Sequence, residues 1–413
     1  MRGKKLGTLI WVAAILRSPC CGFAADEENP FAKVGPYAVG VRTFVLVDDG
    51  RKDETTGGPR TLVTEAWYPA ADEARSLPKM HFPEFFGPYQ AEATRALKRD
   101  PKDIDAGFSS LAARGAPARA TGAKGEWPLV VFSHGNGGFR AQNAFQMEHL
   151  ASHGYCVLSP DHTGNASLSP LPDQPVRHDR KARGRSAEDR PRDVRFLIDR
   201  ALAADRPEVE WLRGRVDPRA IAVAGHSFGG FTAVKLVEED PRIRAIIPMT
   251  VAFIARPTAI PTLVMLGAED STVGKAGNLA SRGYYLGCTG PRNLLILLRG
   301  GHFTFTEMGL INPNFGDGIG RGKSTSGEPM EFIPIPMAKE IINAYTLAFL
   351  ERHLRGSEGA RRFLDANRYP QEIEWWIGDR QVSGPITGGG KPPPPTGDGQ
   401  AQGEAGSGPT REF

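Results

Sequence analysis

The feature that most constrains this chain is a serine set in a glycine turn behind a short apolar run. Ala220-Ile221-Ala222-Val223-Ala224 leads into Gly225-His226-Ser227-Phe228-Gly229-Gly230, and an amphipathic stretch follows. The run reads as a buried strand and the stretch as a helix. At such a junction the turn is too tight for side chains at the glycines, and the serine is left exposed at the strand tip. The G-x-S-x-G pattern alone is weak. The strand before it and the helix after it make Ser227 a candidate nucleophile.

A nucleophile needs a base, an orienting acid and an oxyanion hole. His302 in Arg299-Gly300-Gly301-His302-Phe303 follows the strand-like run Leu294-Leu295-Ile296-Leu297-Leu298 and is the candidate base. Asp270 in Gly267-Ala268-Glu269-Asp270-Ser271 follows Thr262-Leu263-Val264-Met265-Leu266 and is the candidate acid, with Glu269 as its rival. Taken alone, Asp270 reads as a turn residue closing a strand. The order Ser, Asp, His, each just past a strand, is that of the α/β-hydrolase triad. Trp127-Pro128-Leu129-Val130-Val131-Phe132 reads as a central strand ending in Ser133-His134-Gly135-Asn136-Gly137-Gly138. Such a loop turns backbone N–H groups toward a developing oxyanion, and the N–H groups of Asn136 and Phe228 are expected there. Gly135 and Phe303 are expected to touch substrate, and His134 to hold the loop. Both phosphate-loop patterns are missing from this glycine-rich segment.

Three motifs together resemble the platelet-activating-factor acetylhydrolase-like enzymes, whose bacterial members are often called predicted dienelactone hydrolases. They are Phe132-Ser133-His134-Gly135-Asn136-Gly137-Gly138-Phe139, Asp161-His162-Thr163-Gly164-Asn165 and Gly225 to Gly230; Arg190-Pro191-Arg192-Asp193-Val194 also fits. The resemblance covers roughly residues 36–355. It implies an α/β-hydrolase fold and serine ester hydrolysis with no metal or organic cofactor. The chain departs from the pattern twice. True dienelactone hydrolases use a cysteine where this chain has Ser227. The animal plasma-type enzymes carry the acid after the strand next to the nucleophile strand. Here that strand is Ile243 to Met249, Thr250 follows it, and the role falls to Asp270.

The expected enzyme is a secreted or periplasmic carboxylic ester hydrolase acting on short-acyl or phospholipid esters. A polyester- or cutinase-like esterase is the alternative, and a non-catalytic binding protein on the same scaffold is a third reading. Residues 1–24 read as a signal peptide: Arg2, Lys4 and Lys5 precede an apolar run from Leu6 to Leu16, and Gly22-Phe23-Ala24 suits cleavage. The run is short for a bilayer, and a retained anchor is the alternative. Arg17-Ser18-Pro19 ahead of Cys20 is a poor lipidation context. Cleavage would lower Lys plus Arg from 51 to 47, equal to the 47 Asp plus Glu. The formal +4 of the chain is therefore no argument for a nucleic-acid partner.

The mature domain is expected over residues 25–382, with an α/β core at about 36–355. It should be a mostly parallel sheet with helices on both faces. Two antiparallel edge strands, at Tyr37 to Val47 and Thr61 to Tyr68, are expected to flank a turn at Asp48-Asp49-Gly50. Val194, Leu197, Ile198, Ala201 and Leu202 predict an amphipathic helix over 190–204. A capping-box-like Ser186-x-x-Asp189 lies ahead of it. The insertion at about 80–126 contains Met80, Phe82, Phe85, Phe86 and Tyr89. It reads either as a lid or as aromatics tucked against the core. Residues 303–335 are expected to wall the site. The run 177–192 holds seven Lys or Arg against three Asp or Glu. It reads as a solvated loop, with an anion-binding surface as the alternative. Residues 383–413 are too polar and too rich in Gly and Pro to fold. Cys156 falls on a strand and Cys288 just before the last one, and those strands are too far apart in the expected sheet for a disulfide, which predicts two separate thiols.

Overall fold

The computed structural model describes residues 29–121, 127–251 and 256–384. The expected signal peptide, and the expected tail from residue 385 onward, lie outside the described residues.

Eleven strands form one sheet: β1 Ala38–Lys52, β2 Pro59–Ala70, β3 Ala112–Arg114, β4 Trp127–Ser133, β5 Cys156–Pro160, β6 Val216–His226, β7 Ile243–Met249, β8 Thr262–Gly267, β9 Arg292–Leu297, β10 Ile373–Ile377 and β11 Arg380–Val382. Their order is β11-β10-β9-β8-β7-β6-β4-β5-β2-β1-β3. From β5 through β4, β6, β7 and β8 to β9 the pairing is parallel throughout. The main helices are α1 Gln90–Leu97, α2 Ala144–Ser152, α3 Arg183–Ala203, α4 Phe228–Val237, α5 Gly274–Gly287 and α6 Ile335–Arg355.

The apolar runs become strands buried on both faces because their side chains alternate between two cores. Val130, Phe132, Ala222, Ala224, Met265 and Leu295 point to the core that takes α2 and α6. Leu129, Val131, Ile221, Val223, Val264 and Ile296 point to the core that takes α3, α4 and α5. Each fully buried aliphatic or aromatic side chain contributes about 1.5–3 kcal/mol. Cys156 and Cys288 are free and buried. Cys156 sits in β5 and Cys288 just ahead of β9, with four strands between those two in the sheet.

Five expectations need correction. The turn between β1 and β2 is at Asp53 to Gly58, not at Asp48 to Gly50. Asp53 Oδ1 accepts from the N–H groups of Thr55 and Thr56, and Gly57 supplies a φ of 79°. The antiparallel pair is not the sheet edge, since β3 returns from the insertion to lie parallel beyond β1. The helix predicted at 190 begins at Arg183, so much of the basic run is helical rather than loop. Ser186 is no cap: it lies inside the helix, and its hydroxyl donates to the Ala182 carbonyl. Pro191 sits inside α3 and cannot satisfy the carbonyl of Ala187. Lys235 Nζ donates to that oxygen instead, at 3.3 Å. Finally, the sheet continues past residue 355 through β10 and β11, with Trp375 fully buried and its indole N–H on the Leu364 carbonyl.

The aromatics of the insertion tuck against the core. Phe82, Phe85 and Phe86 are buried in the core, packed around Phe108 and Phe139. The fully buried Arg140 fastens this cluster to the sheet. It pairs with Glu65 of β2 at 3.0 Å and with Asp161 after β5 at 2.7 Å, and it also donates to the Phe85 carbonyl. Removing one member of a buried ion network leaves charge uncompensated in a low dielectric. Arg140→Met is therefore expected to destabilise the protein by about 3–5 kcal/mol in urea unfolding. A loss below about 1 kcal/mol, the range of exposed pairs, would show that the network is not what anchors the insertion.

Candidate active site

The carboxyl ends of β4, β6, β8 and β9 all open on the same side of the sheet, where ligands of open α/β sheets bind. Ser227 follows β6 directly. Its backbone is held at φ 54°, ψ −117°, a region that side chains other than glycine rarely adopt. The conformation is fixed from both sides. The Ser227 N–H donates to Met249 O at 2.8 Å, and Phe231 N–H donates to Ser227 O at 3.2 Å. The neighbouring glycines are required by close approach of backbone. A Cβ on Gly229 would lie 1.8 Å from the Ser133 carbonyl oxygen, and one on Gly225 would lie 2.3 Å from Gly229.

His302 sits past β9 and Asp270 past β8. Asp270 Oδ2 is 2.8 Å from His302 Nδ1, and both side chains are buried. Asp270 Oδ1 accepts from Val273 N–H at 2.9 Å. An Nδ1–H donated to Asp270 leaves Nε2 as the basic ring nitrogen. Glu269 faces elsewhere: its Oε2 accepts from the Thr325 N–H and hydroxyl at 2.7 and 2.9 Å. Of the two rival acids, Asp270 alone meets the histidine.

A third carboxylate, which nothing in the local sequence signals, joins the two loops. Asp317 Oδ1 accepts from the N–H groups of His302 (3.0 Å) and Ser271 (3.2 Å), and its Oδ2 accepts from the Thr272 hydroxyl at 2.7 Å. Burial pushes the Asp317 carboxyl up, but these hydrogen bonds outweigh it and the net shift is down.

The loop after β4 spends most of its backbone donors internally. Gly135 N–H binds Gln142 Oε1 (3.0 Å), Gly137 N–H binds Asn165 O (3.0 Å) and Gly138 N–H binds Gly135 O (3.0 Å). Among the described residues the N–H of Asn136 has no acceptor. Phe228 opens α4, so its backbone lies in the first helical turn, whose N–H groups point back along the axis toward Ser227. Its ring packs 4.8 Å from the Arg190 guanidinium. His134 holds the loop as expected. Its Nδ1 donates to Gly135 O at 2.6 Å, and its Nε2 accepts from His162 N–H at 3.1 Å.

Behind the loop lies a second chain of the same residue types. Ser133 Oγ is 2.9 Å from His162 Nε2, and His162 Nδ1 is 2.9 Å from Asp193 Oδ2. All three are 0% exposed. Arg190 donates to Ser133 Oγ (2.9 Å), to Asn165 Oδ1 (3.0 Å) and to the His134 carbonyl. A buried hydroxyl clamped by a guanidinium cannot meet substrate. The Arg190 and Asp193 of the sequence motif therefore brace the loop.

Gly135, Asn136, Ser227, His302 and Phe303 line one cavity of about 1050 Å³. Asp270 stands behind His302. Residues 303–335 wall the cavity through Phe303, Met308, Ile311 and Phe315, and the end of α1 supplies Leu97 opposite. Among the described residues no group of three or more His, Cys, Asp or Glu is arranged to hold a metal ion.

Buried histidines dominate the acid response of the fold. His134 and His226 are held well below the ordinary imidazole value, by burial first and then by Arg190 and His302 respectively. Burial brings His162 down to about 3, and His149 and His353 to about 4. Burial pushes Glu148 up to about 7 and Asp161 up to about 6. A histidine depressed in the folded state stabilises above its unfolded value of about 6.5 and loses that contribution as pH falls. A raised carboxyl does the reverse, gaining as pH falls toward its unfolded value. The lowered histidines outnumber the raised carboxyls, so a net loss of stability is expected as pH falls from about 6.5 to 4.5. Melting scans should show a steadily falling midpoint over that window; a flat or rising one would contradict these assignments.

Two family descriptions match the chain: "alpha/beta hydrolase fold" over residues 128–261 and "Platelet-activating factor acetylhydrolase, isoform II" over residues 25–180. A platelet-activating factor acetylhydrolase of Canis lupus familiaris is 32% identical over 149 residues, covering 29% of this chain and 34% of the relative. Cutinase 2 of Thermobifida cellulosilytica is 32% identical over 147 residues, covering 35% of this chain and 48% of the relative. The matched stretches thus span between a third and a half of these relatives. A solved ferulic acid esterase from Streptomyces cinnamoneus superposes with a TM-score of 0.63 at 28% identity, covering 78% of this chain and 91% of that one.

Proposed function

We propose that this chain, an α/β-hydrolase similar to the platelet-activating factor acetylhydrolases, is a serine carboxylic-ester hydrolase that works through an acyl-enzyme on Ser227. One observation carries the reading: Ser227 and His302 line one cavity, and Asp270 lies 2.8 Å from the far ring nitrogen of His302.

His302 Nε2 takes the Ser227 proton as Oγ attacks the ester carbonyl. Asp270 fixes the imidazole tautomer and stabilises the imidazolium. The N–H groups of Asn136 and Phe228 receive the oxyanion, the charge whose stabilisation is often the largest single contribution. The alcohol leaves with the proton from His302. Water then enters, is deprotonated by His302, and releases the acid. The strained backbone of Ser227 and the glycine loop, whose other backbone donors are bonded internally, mean that little reorganisation is needed at either step.

Short-acyl or phospholipid esters are the first substrate class, supported by the acetylhydrolase match over residues 25–180. The matches to cutinases favour a second reading, a polyester- or cutinase-like esterase. Export fits both, supported by the basic residues and apolar run ahead of Ala24. Among the described residues no helix is long and apolar enough to cross a membrane.

A p-nitrophenyl ester series from acetate to palmitate separates the substrate readings: a rate maximum at acetate or butyrate supports the first, and one shifted to longer chains the second. Ser227→Ala is expected to lower kcat by about four to six orders of magnitude. Asp270→Asn should cost on the order of 10⁴-fold with folding intact, because the tautomer is lost. Glu269→Gln should change kcat by less than about threefold, since its partner is Thr325. Undiminished turnover in Ser227→Ala, or the reverse ranking of the two acid variants, would reject the assignment.

A further inference from the structure

The cavity carries an uncompensated charge. Lys98, Arg99 and Arg183 line it, and Glu307 is the one carboxylate that does so among the described residues. Glu307 is already neutralised: its Oε2 lies 2.5 Å from Lys339 Nζ. None of the three cations forms an ion pair with a described carboxylate. Arg99 donates only to backbone carbonyls, those of Leu310, Ile311 and Asp103. Lys98 and Arg183 are exposed.

The three come from two elements. Lys98 and Arg99 close α1 on the insertion, with Lys98 in a left-handed backbone conformation at φ 57°. Arg183 opens α3 and lines the same cavity. It belongs to the basic run that the catalytic reading leaves unused. The whole chain carries a formal charge of only +4 over 413 residues, so general basicity does not explain three like charges meeting at one opening. A cleft lined by one sign of charge raises the local concentration of the opposite ion, and Arg and Lys donors complement carboxylate and phosphate oxygens.

We propose that this cavity selects esters bearing a carboxylate or phosphate group, held by Lys98, Arg99 and Arg183, while the ester carbonyl meets Ser227. The proposal rests on the reading of Ser227 as the nucleophile and names the substrate class of that same site. The same charges disfavour a cationic ester.

The test uses acetate esters that share one acyl group and differ in the charge of the alcohol. They are phenyl acetate, 3-acetoxybenzoate, 3-acetoxyphenyl phosphate and the 3-acetoxyphenyl trimethylammonium ion. With kcat/KM normalised to the hydroxide rate of each ester, the two anionic esters are expected to exceed phenyl acetate by about tenfold at low salt, and that preference should shrink at about 0.5 M salt. Whichever anionic ester leads identifies the group recognised. Arg183→Glu and Lys98→Glu should each lower the anionic rates by about tenfold, leave phenyl acetate within about twofold, and raise the cationic rate. Equal changes for all four esters, or a wild-type preference for the neutral or cationic one, would overturn the proposal. Binding to the Ser227→Ala protein reads the charge preference without turnover. If no ester is hydrolysed by the wild type, the hydrolase reading fails. In that case tighter calorimetric binding of 3-acetoxybenzoate than of phenyl acetate, lost in Arg183→Glu, still supports the charge selectivity, and equal binding rejects it.

Discussion

Asp193 is the buried carboxylate on which the geometry of the site depends. It receives Arg60 of β2 at 2.6 Å, Arg51 of β1 at 2.8 Å and the His162 ring at 2.9 Å, with none of its own surface exposed. Burial alone would raise its pKa. Arg60 and the hydrogen bonds of its partners outweigh that, and the net shift is strongly downward. Through His162 and Ser133 the same charge reaches the end of β4, and through Arg190, one helical turn away on α3, it borders the loop that carries Asn136. A buried charge is tolerable only when fully paired. The pairing here forces β1, β2, β4, the loop after β5 and α3 into one arrangement, and that arrangement holds the loop of Gly135 to Gly138 in the cavity that Ser227 also lines.

The chain contains two sets of Ser, His and Asp, in the order Ser–His–Asp at 133, 162 and 193 and Ser–Asp–His at 227, 270 and 302, and access separates their roles. Ser133, His162 and Asp193 are sealed behind the cavity wall, and Arg190 occupies the serine oxygen. Ser227 and His302 face the cavity, with Asp270 and Asp317 arranged behind them. The buried chain gives rigidity, and the open one is placed where chemistry can occur. Asp317 completes the open one from the rear, joining the turn after β8 to the turn after β9 through the backbone of His302 itself.

Most of this was legible in the sequence where a local signal existed. The apolar runs at 127–132, 220–224, 243–249, 262–266 and 294–298 became the parallel strands because each is buried on both faces. Ser227 and His302, which follow two of them, line one cavity with Asp270 behind the histidine, because strands of one direction end on one side. Spacing was silent where tertiary context decided. Ser186-x-x-Asp189 has the composition of a cap, yet Arg183 already starts the helix and Lys235 supplies what Pro191 removes. Asp48-Asp49-Gly50 has turn composition but stays in the strand, because Asp53 captures the turn with its side chain. Trp375 and Trp376 gave no alternation long enough to announce a strand, and β10 forms because β9 offers it an edge. Asp317 sits in a glycine-rich stretch, and its role exists only through donors brought from 271, 272 and 302.

The central claim is that Ser227 is the one nucleophilic serine of this fold, and covalent trapping tests it most directly. A fluorophosphonate probe on the native protein, followed by intact and peptide mass measurement, should add one phosphonyl group, located on Ser227, with loss of esterase activity in proportion. Asp270→Asn should slow that labelling, and Ser227→Ala should abolish it. Labelling at Ser133, or stoichiometric loss of activity with the Ser227 peptide unmodified, would contradict the account.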